Sequence, residues 1–121
     1  MPYIRISTTQ KLNEKQQSAL VSGLGKALEV IPGKDARGLI VDMEDGKTMF
    51  IGGETQNNLV FADVHYYSNY GYQVKKAFTV AAFDAISRVL GTSKDRMFLT
   101  ITEHNNWGGF GDYKDEYYSE E

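Results

Sequence analysis

The sequence predicts an α+β domain: two β-α-β halves in pseudo-twofold repeat, forming a four-stranded sheet with two helices on one face. Three observations carry this. Two stretches show apolar residues at helical spacing, four short stretches alternate with period two, and the order strand, helix, strand occurs twice. Laying the first helical stripe on the second puts Leu20 on Phe78, Leu24 on Ala82, Ala27 on Ala85, Leu28 on Ile86 and Ile31 on Val89. Beyond the helices, Lys34-Asp35-Ala36-Arg37 is echoed by Lys94-Asp95-Arg96. A helical crossover demands parallel strands within each half.

The elements follow in chain order. Tyr3-Ile4-Arg5-Ile6-Ser7 alternates, with Ile4 and Ile6 on one face. Asn13 can cap a helix and Gln16 can reach back to it. The first stripe then runs from Leu20 to Ile31 and ends at Pro32-Gly33. Leu39, Val41 and Met43 alternate as a strand; Asp45-Gly46 signals a hairpin, with Thr48–Ile51 as its return strand. Leu59–Tyr67 is rich in strand formers. Val74, Phe78, Ala81, Ala82, Ala85 and Val89 form the second stripe, closed by Gly91, and Met97–Thr102 is the last long strand.

Length and composition bound the function. At 121 residues the chain is one domain, 1–121, whose last residues, about 112–121, form an acidic, aromatic tail. That tail is expected either to be solvated or to reach across a neighbouring subunit. A net charge of −3 argues against nucleic acid, which needs a basic stripe. There is no cysteine for a disulfide, a thiolate metal site or a nucleophile. No leader or membrane-length apolar run is expected, so the localisation expected is cytoplasmic and no membrane partner is expected. The strands supply apolar residues to both sheet faces, and two helices cover only one. An oligomer burying the second face is therefore expected.

The residue that points most directly to chemistry is Pro2. Removal of Met1 would make its nitrogen a free secondary amine. In a dry pocket the charged form of an amine is disfavoured, so it can act as a general base near neutral pH. Pro2 leads straight into a strand, which would anchor it. If Met1 stays attached, Pro2 is a tertiary amide without a basic nitrogen, and Met1 would be expected to sit in the pocket it blocks.

Two histidines, His65 and His104, have no third ligand at metal spacing, so no metal and no cofactor is expected. Asp63 and His65 share a strand face; His65 is expected to be hydrogen-bonded locally. His104, leaving the last strand near Trp107, is a pocket-rim candidate. Tyr66, Tyr67, Tyr70 and Tyr72 cluster around Ser68-Asn69 and could line a site or a subunit contact. Trp107-Gly108-Gly109-Phe110-Gly111 is too glycine-rich to be a packed strand alone. Trp107 and Phe110 are expected to pack on a neighbour or on substrate.

Taken in order, Met1-Pro2 before a strand, Gly33-Lys34, Phe50-Ile51-Gly52-Gly53, Ser93–Leu99 and Trp107–Gly111 resemble the tautomerase superfamily, in particular the macrophage migration inhibitory factor family. The resemblance covers nearly the whole chain up to about Phe110. It implies a homotrimer of β-α-β-β-α-β subunits with active sites between adjacent subunits. It implies Pro2 as the catalytic base, Lys34 as the lysine that holds a substrate carboxylate, and a substrate-contacting backbone amide near Tyr66 or Tyr67. The family's pocket tyrosine and asparagine, contributed by a neighbouring subunit, fall on Phe98 and Thr100. Phe98 keeps the aromatic wall without the hydroxyl, and Thr100 keeps one hydroxyl without the amide. The implied activity is keto–enol tautomerisation of small aromatic α-keto acids such as phenylpyruvate. The alternative is a trimeric, cytokine-like binding protein with little or no catalysis.

Overall fold

The computed structural model describes residues 2–119; Met1, Glu120 and Glu121 lie outside the described residues, and with them the expected placement of Met1 in the pocket. Strand β1 (Tyr3–Thr8) leads into helix α1 (Glu14–Leu28), and strand β2 (Ile40–Glu44) follows after a short 3-10 turn, Ala36–Gly38. Strands β3 (Phe50–Ile51) and β4 (Glu54–Thr55) form a small separate hairpin. Strand β5 (Val60–Tyr67), helix α2 (Tyr72–Leu90) and strand β6 (Met97–His104) make the second half. Strands β7 (Asn106–Gly109) and β8 (Asp112–Asp115) form a closing hairpin.

The sheet order is β2-β1-β5-β6. Within each half the strands are parallel, β1 with β2 and β5 with β6. The halves meet through an antiparallel β1–β5 pairing in which Tyr3 faces His65 and Ile6 faces Ala62. This is the pseudo-twofold repeat that the two helical stripes predict.

Both helices form where local chemistry starts and stops them. Asn13 accepts from the Gln16 amide, and the Gln16 side chain accepts from the Asn13 amide, satisfying two otherwise orphaned N–H groups. Gly91 closes α2 in the left-handed region (φ 68°), its N–H donating to the Ser87 carbonyl. Leu20, Leu24, Leu28 and Ile31 from the first half meet Phe78, Ala82 and Ile86 from the second over Ile4, Ile6, Val60, Ala62 and Val64 of the sheet. Truncating any one of the buried leucines to alanine would cost about 2–5 kcal/mol.

Three sequence expectations are corrected. First, Asp45-Gly46 does not turn a hairpin. The Asp45 carboxylate accepts from the Leu12 amide, and the amides of Gly46 and Lys47 donate to the carbonyls of Gln10 and Thr8. The segment after β2 thus stays bound to the chain leaving β1. Thr48–Ile51 is not the return strand of β2; only Phe50–Ile51 is extended, and it pairs with Glu54–Thr55.

Second, the sheet is not apolar on both faces. The period-two alternation sends Ile4, Ile6, Val41, Met43, Leu99 and Ile101 toward the helices. The open face carries Arg5, which bridges Glu44 (3.4 Å) and Asp63 (2.9 Å), and Tyr3, whose hydroxyl donates to Asp42 (2.6 Å). Its apolar residues include the in-register pair Phe61 and Phe98, 40% and 43% exposed, and Ile40 beside Tyr3 at the sheet edge.

Third, the expected tail from about residue 112 begins as a strand. Asp112–Asp115 folds back on its own chain and supplies Asn106–Gly109 with the partner that this glycine-rich segment needs to be a strand. Phe110 (φ 52°) and Gly111 (φ 77°) both have positive φ, as a two-residue hairpin turn with the strands' twist requires.

Candidate active site

A cleft of about 610 Å³ opens where the amino-terminal end of β1 meets the last hairpin. Pro2 is buried at its edge, and its carbonyl accepts from the Ile40 amide, so the parallel β1–β2 pairing pins the residue. Leu39 and Ile40 form one wall, with Arg37 and Gly38 of the 3-10 turn beside them. Trp107 and Phe110 form the wall opposite, and Tyr3, His65 and His104 complete the lining. The surroundings are chiefly apolar, which favours a neutral amine over an ammonium.

The two lining histidines belong to a chain of polar contacts that runs back along the open sheet face. Arg5 Nη2 donates to Asp63 Oδ2 at 2.9 Å. Asp63 Oδ1 lies 3.1 Å from His65 Nε2. His65 Nδ1 lies 2.9 Å from His104 Nε2, with the two rings stacked. The His104 ring meets Trp107 edge-on, and the His65 ring meets Tyr3 likewise. Alternation on β5 puts Asp63 and His65 on the open face, and the β5–β6 register delivers His104 diagonally across from His65.

Lys34 reaches the same end of the sheet by a different route. Its Nζ donates to the Tyr67 carbonyl at 2.9 Å and lies over the rings of Tyr66 and Tyr70. Burial, with a smaller push from Lys114, lowers its pKa from the ordinary lysine value. Extending the Tyr3–His65 register by one step sets Pro2 opposite Tyr66, so Lys34 stands one strand over from Pro2. It does not line the Pro2 cleft.

The structure therefore brings together Pro2, His104, Trp107 and Phe110. Tyr66 is fully buried. Its hydroxyl donates to Glu103, and burial together with that carboxylate pushes its pKa well up, so its side chain is committed to the core. Tyr67 faces a separate surface hollow with Asp112, Tyr113, Lys114 and Asp115 of the last hairpin. Phe98 lies on the open face near the far end of the sheet, where it pairs with Phe61 and Phe61 with Ser7; Thr100 lies mid-sheet, paired with Asp63, which pairs with Arg5. Neither lines the Pro2 cleft of its own chain. Sequence reasoning missed Arg37, Tyr3 and the wall of Leu39 and Ile40, and it did not join His65 to His104. The signal for Tyr3 and Ile40 was their place beside Pro2 in the strand register. Among the described residues no group of three or more histidine, aspartate or glutamate side chains is placed to hold a metal ion.

This β-α-β-β-α-β chain has the fold of macrophage migration inhibitory factor and 4-OT structures. Leishmania major MIF2 superposes with a TM-score of 0.84 at 18% identity, over 93% of this chain and 97% of that one. The macrophage migration inhibitory factor of Toxoplasma gondii gives 0.80 at 22% identity, over 92% and 98%. A fused 4-OT described as a symmetric trimer gives 0.75 at 16% identity, over 84% and 85%. No protein-family model and no curated protein matches the sequence.

Proposed function

We propose that the protein is a Pro2-dependent keto–enol tautomerase of small α-keto acids, phenylpyruvate-like in substrate size. The observation that carries this reading is the position of Pro2: strand-anchored at the edge of an apolar cleft walled by Trp107 and Phe110. With Met1 removed, the Pro2 nitrogen takes the proton from the carbon next to the carbonyl. A neighbouring cation, Lys34 at the end of β5 or Arg37 at the cleft wall, pairs the carboxylate of the substrate.

The same reading includes a homotrimer. Phe98 and Thr100, which do not line the Pro2 cleft of their own chain, would then reach the cleft of a neighbour, as the resemblance implies. The exposed Phe61–Phe98 pair supplies apolar area for that contact. The fused 4-OT neighbour is itself a trimer.

The test uses protein whose first residue is Pro2, assayed with phenylpyruvate and hydroxyphenylpyruvate beside Pro2→Gly and Lys34→Ala. Turnover is expected in the parent and its near-loss in Pro2→Gly. Equal rates in all three proteins would sink the mechanism. A related structure, Pt0534, was inactivated by 2-oxo-3-pentynoate. The same alkynone should label the processed protein at Pro2, read by peptide mass.

One observation favours a second reading, a trimeric binding protein with little catalysis. Phe98 offers no hydroxyl and Thr100 only one, so a neighbour would bring few donors to the pocket. Tight metabolite binding with no Pro2-dependent turnover across keto acids would favour it.

A further inference from the structure

The contacts that His65 and His104 make favour one placement of their protons. A carboxylate only accepts, and a lone pair facing it at 3.1 Å would be repelled, so Asp63 favours a hydrogen on His65 Nε2. In the neutral ring His65 Nδ1 is then an acceptor, and the 2.9 Å contact requires His104 Nε2 to donate. What remains is His104 Nδ1, the nitrogen outside the His65 contact, on a ring that lines the cleft. A proton added to the pair arrives at that nitrogen. The resulting charge is shared across the 2.9 Å bridge toward Asp63, itself held by Arg5. The bridge needs one lone pair, so the two rings take up one proton between them, not two.

We propose that His104, oriented by His65 and Asp63, is a proton donor to the carbonyl oxygen of an α-keto carboxylate bound in the Pro2 cleft. This rests on the tautomerase reading of that cleft. Pro2 nitrogen takes the proton from the carbon next to the carbonyl, and the freed C–H pair becomes the C=C bond. The C=O π pair moves onto oxygen, which takes the Nδ1 proton of the charged histidine pair. The enol leaves behind a protonated Pro2 and a neutral pair, and exchange with water restores both. His104 is the catalytic residue of this step; His65 and Asp63 are positioning residues.

The groups facing the pair set its titration. Asp63 is on its own sheet neighbour β5, and Arg5 and Tyr3 come from β1, with Asp42 and Glu44 of β2 behind them. Trp107 of β7 is uncharged and packs on His104, while Lys114 of β8 stands opposite Trp107 in the hairpin. Arg37 is at the cleft wall. Asp63 favours a charge on the pair and the basic groups oppose it.

The experiment separates this proposal from the tautomerase reading by using a ligand that cannot react. Phenylglyoxylate is an α-keto acid with no hydrogen on the neighbouring carbon. Its binding to the Pro2-terminated protein is measured by calorimetry across roughly pH 5.5–8 in two buffers of different ionisation heat. The expected result is uptake of close to one proton on binding and an affinity that falls about tenfold per pH unit on the alkaline side. His104→Gln should bind more weakly, with no proton uptake and a flat pH profile. Asp63→Asn should move the profile to lower pH. Imidazole NMR of the free protein should show one shared titration that His104→Gln removes, and the same spectra confirm that the variant is folded. Binding without proton uptake, no binding in the cleft, or an unchanged profile in His104→Gln would overturn the proposal. Proton-linked binding without phenylpyruvate turnover would uphold the donor while sinking the tautomerase reading. Turnover whose rate and pH profile survive His104→Gln would do the reverse.

Discussion

The ammonium of Lys34 donates to the backbone carbonyl of Tyr67 at 2.9 Å, tying the loop after α1 to the last residue of β5. Burial and the nearby Lys114 lower the pKa of this lysine. A lysine is charged below its pKa, so Lys34 loses its charge at lower pH than an ordinary lysine, near 10.4, would. If it pairs the substrate carboxylate, KM should rise on the alkaline side earlier than that value. Lys114→Gln removes the like charge and should move the rise to higher pH. A KM profile measured for the parent and this variant checks both statements.

Glu103 gathers the start of the second helix. It accepts from the Tyr70 amide (2.8 Å), the Tyr66 hydroxyl (2.9 Å) and Lys75 (3.2 Å). Burial raises its pKa, but these three donors together outweigh burial and hold it below the ordinary glutamate value. A depressed carboxylate pKa stabilises the fold above the unfolded pKa, and the benefit fades as pH falls through the folded value. Glu103→Gln should cost about 1–3 kcal/mol at pH 7, because the amide nitrogen meets donors. The gap between parent and variant should narrow below about pH 4.3. Urea denaturation at several pH values would show it.

Gly25 is buried in α1, where an added Cβ would lie 2.9 Å from the Ala36 Cβ. Alanine normally gains about 1 kcal/mol over glycine inside a helix. Here overpacking should cost about 1–3 kcal/mol, so Gly25→Ala is expected to be neutral to destabilising. Ala36→Gly added to it should restore the gain, since it removes the methyl that clashes. Ala36 opens the turn that carries Arg37 and Gly38, so the single variant should also weaken ligand binding while the double recovers it. Denaturation midpoints and phenylglyoxylate affinity are the two readouts.

Phe98 and Phe61 stand side by side on the open sheet face. In a trimer this pair would be covered, and Phe98→Asp should lower the assembly to a monomer, or to aggregates, at low micromolar concentration. Apolar association should survive high salt in the parent. Light scattering decides: a monomeric parent, or a trimer indifferent to Phe98→Asp, would remove Phe98 from the interface.

The repeat made most of the fold legible before any coordinates. Helical stripes and the Asn13–Gln16 capping box are local signals, and both helices form on them, although α1 ends at Leu28 and not at the Pro32-Gly33 that the stripe suggested. Asp45-Gly46 misled because its local preference for a hairpin yielded to non-local partners, Leu12, Gln10 and Thr8. The open face misled because apolar residues were counted along strands without assigning each to a side; the alternation hides Arg5, Asp63 and His65 on one face and Ile4, Ile6 and Val64 on the other. The His65–His104 contact was beyond reach for a similar reason. It depends on the parallel β5–β6 register, which no short motif encodes.

The cleft joins Pro2, ahead of β1, to Trp107 and Phe110 in the hairpin that follows β6, so every strand of the main sheet lies between its two sides in chain order. During synthesis the sheet can therefore form, with its helices seated, while the pocket still lacks a wall. If Pro2 is the base proposed above, its chemistry waits for the hairpin of β7 and β8 to close beside it. A chain clipped before that hairpin would hold the Pro2 nitrogen in water, where an amine stays protonated and idle. Closure of the hairpin, and not of the sheet, would then arm the site.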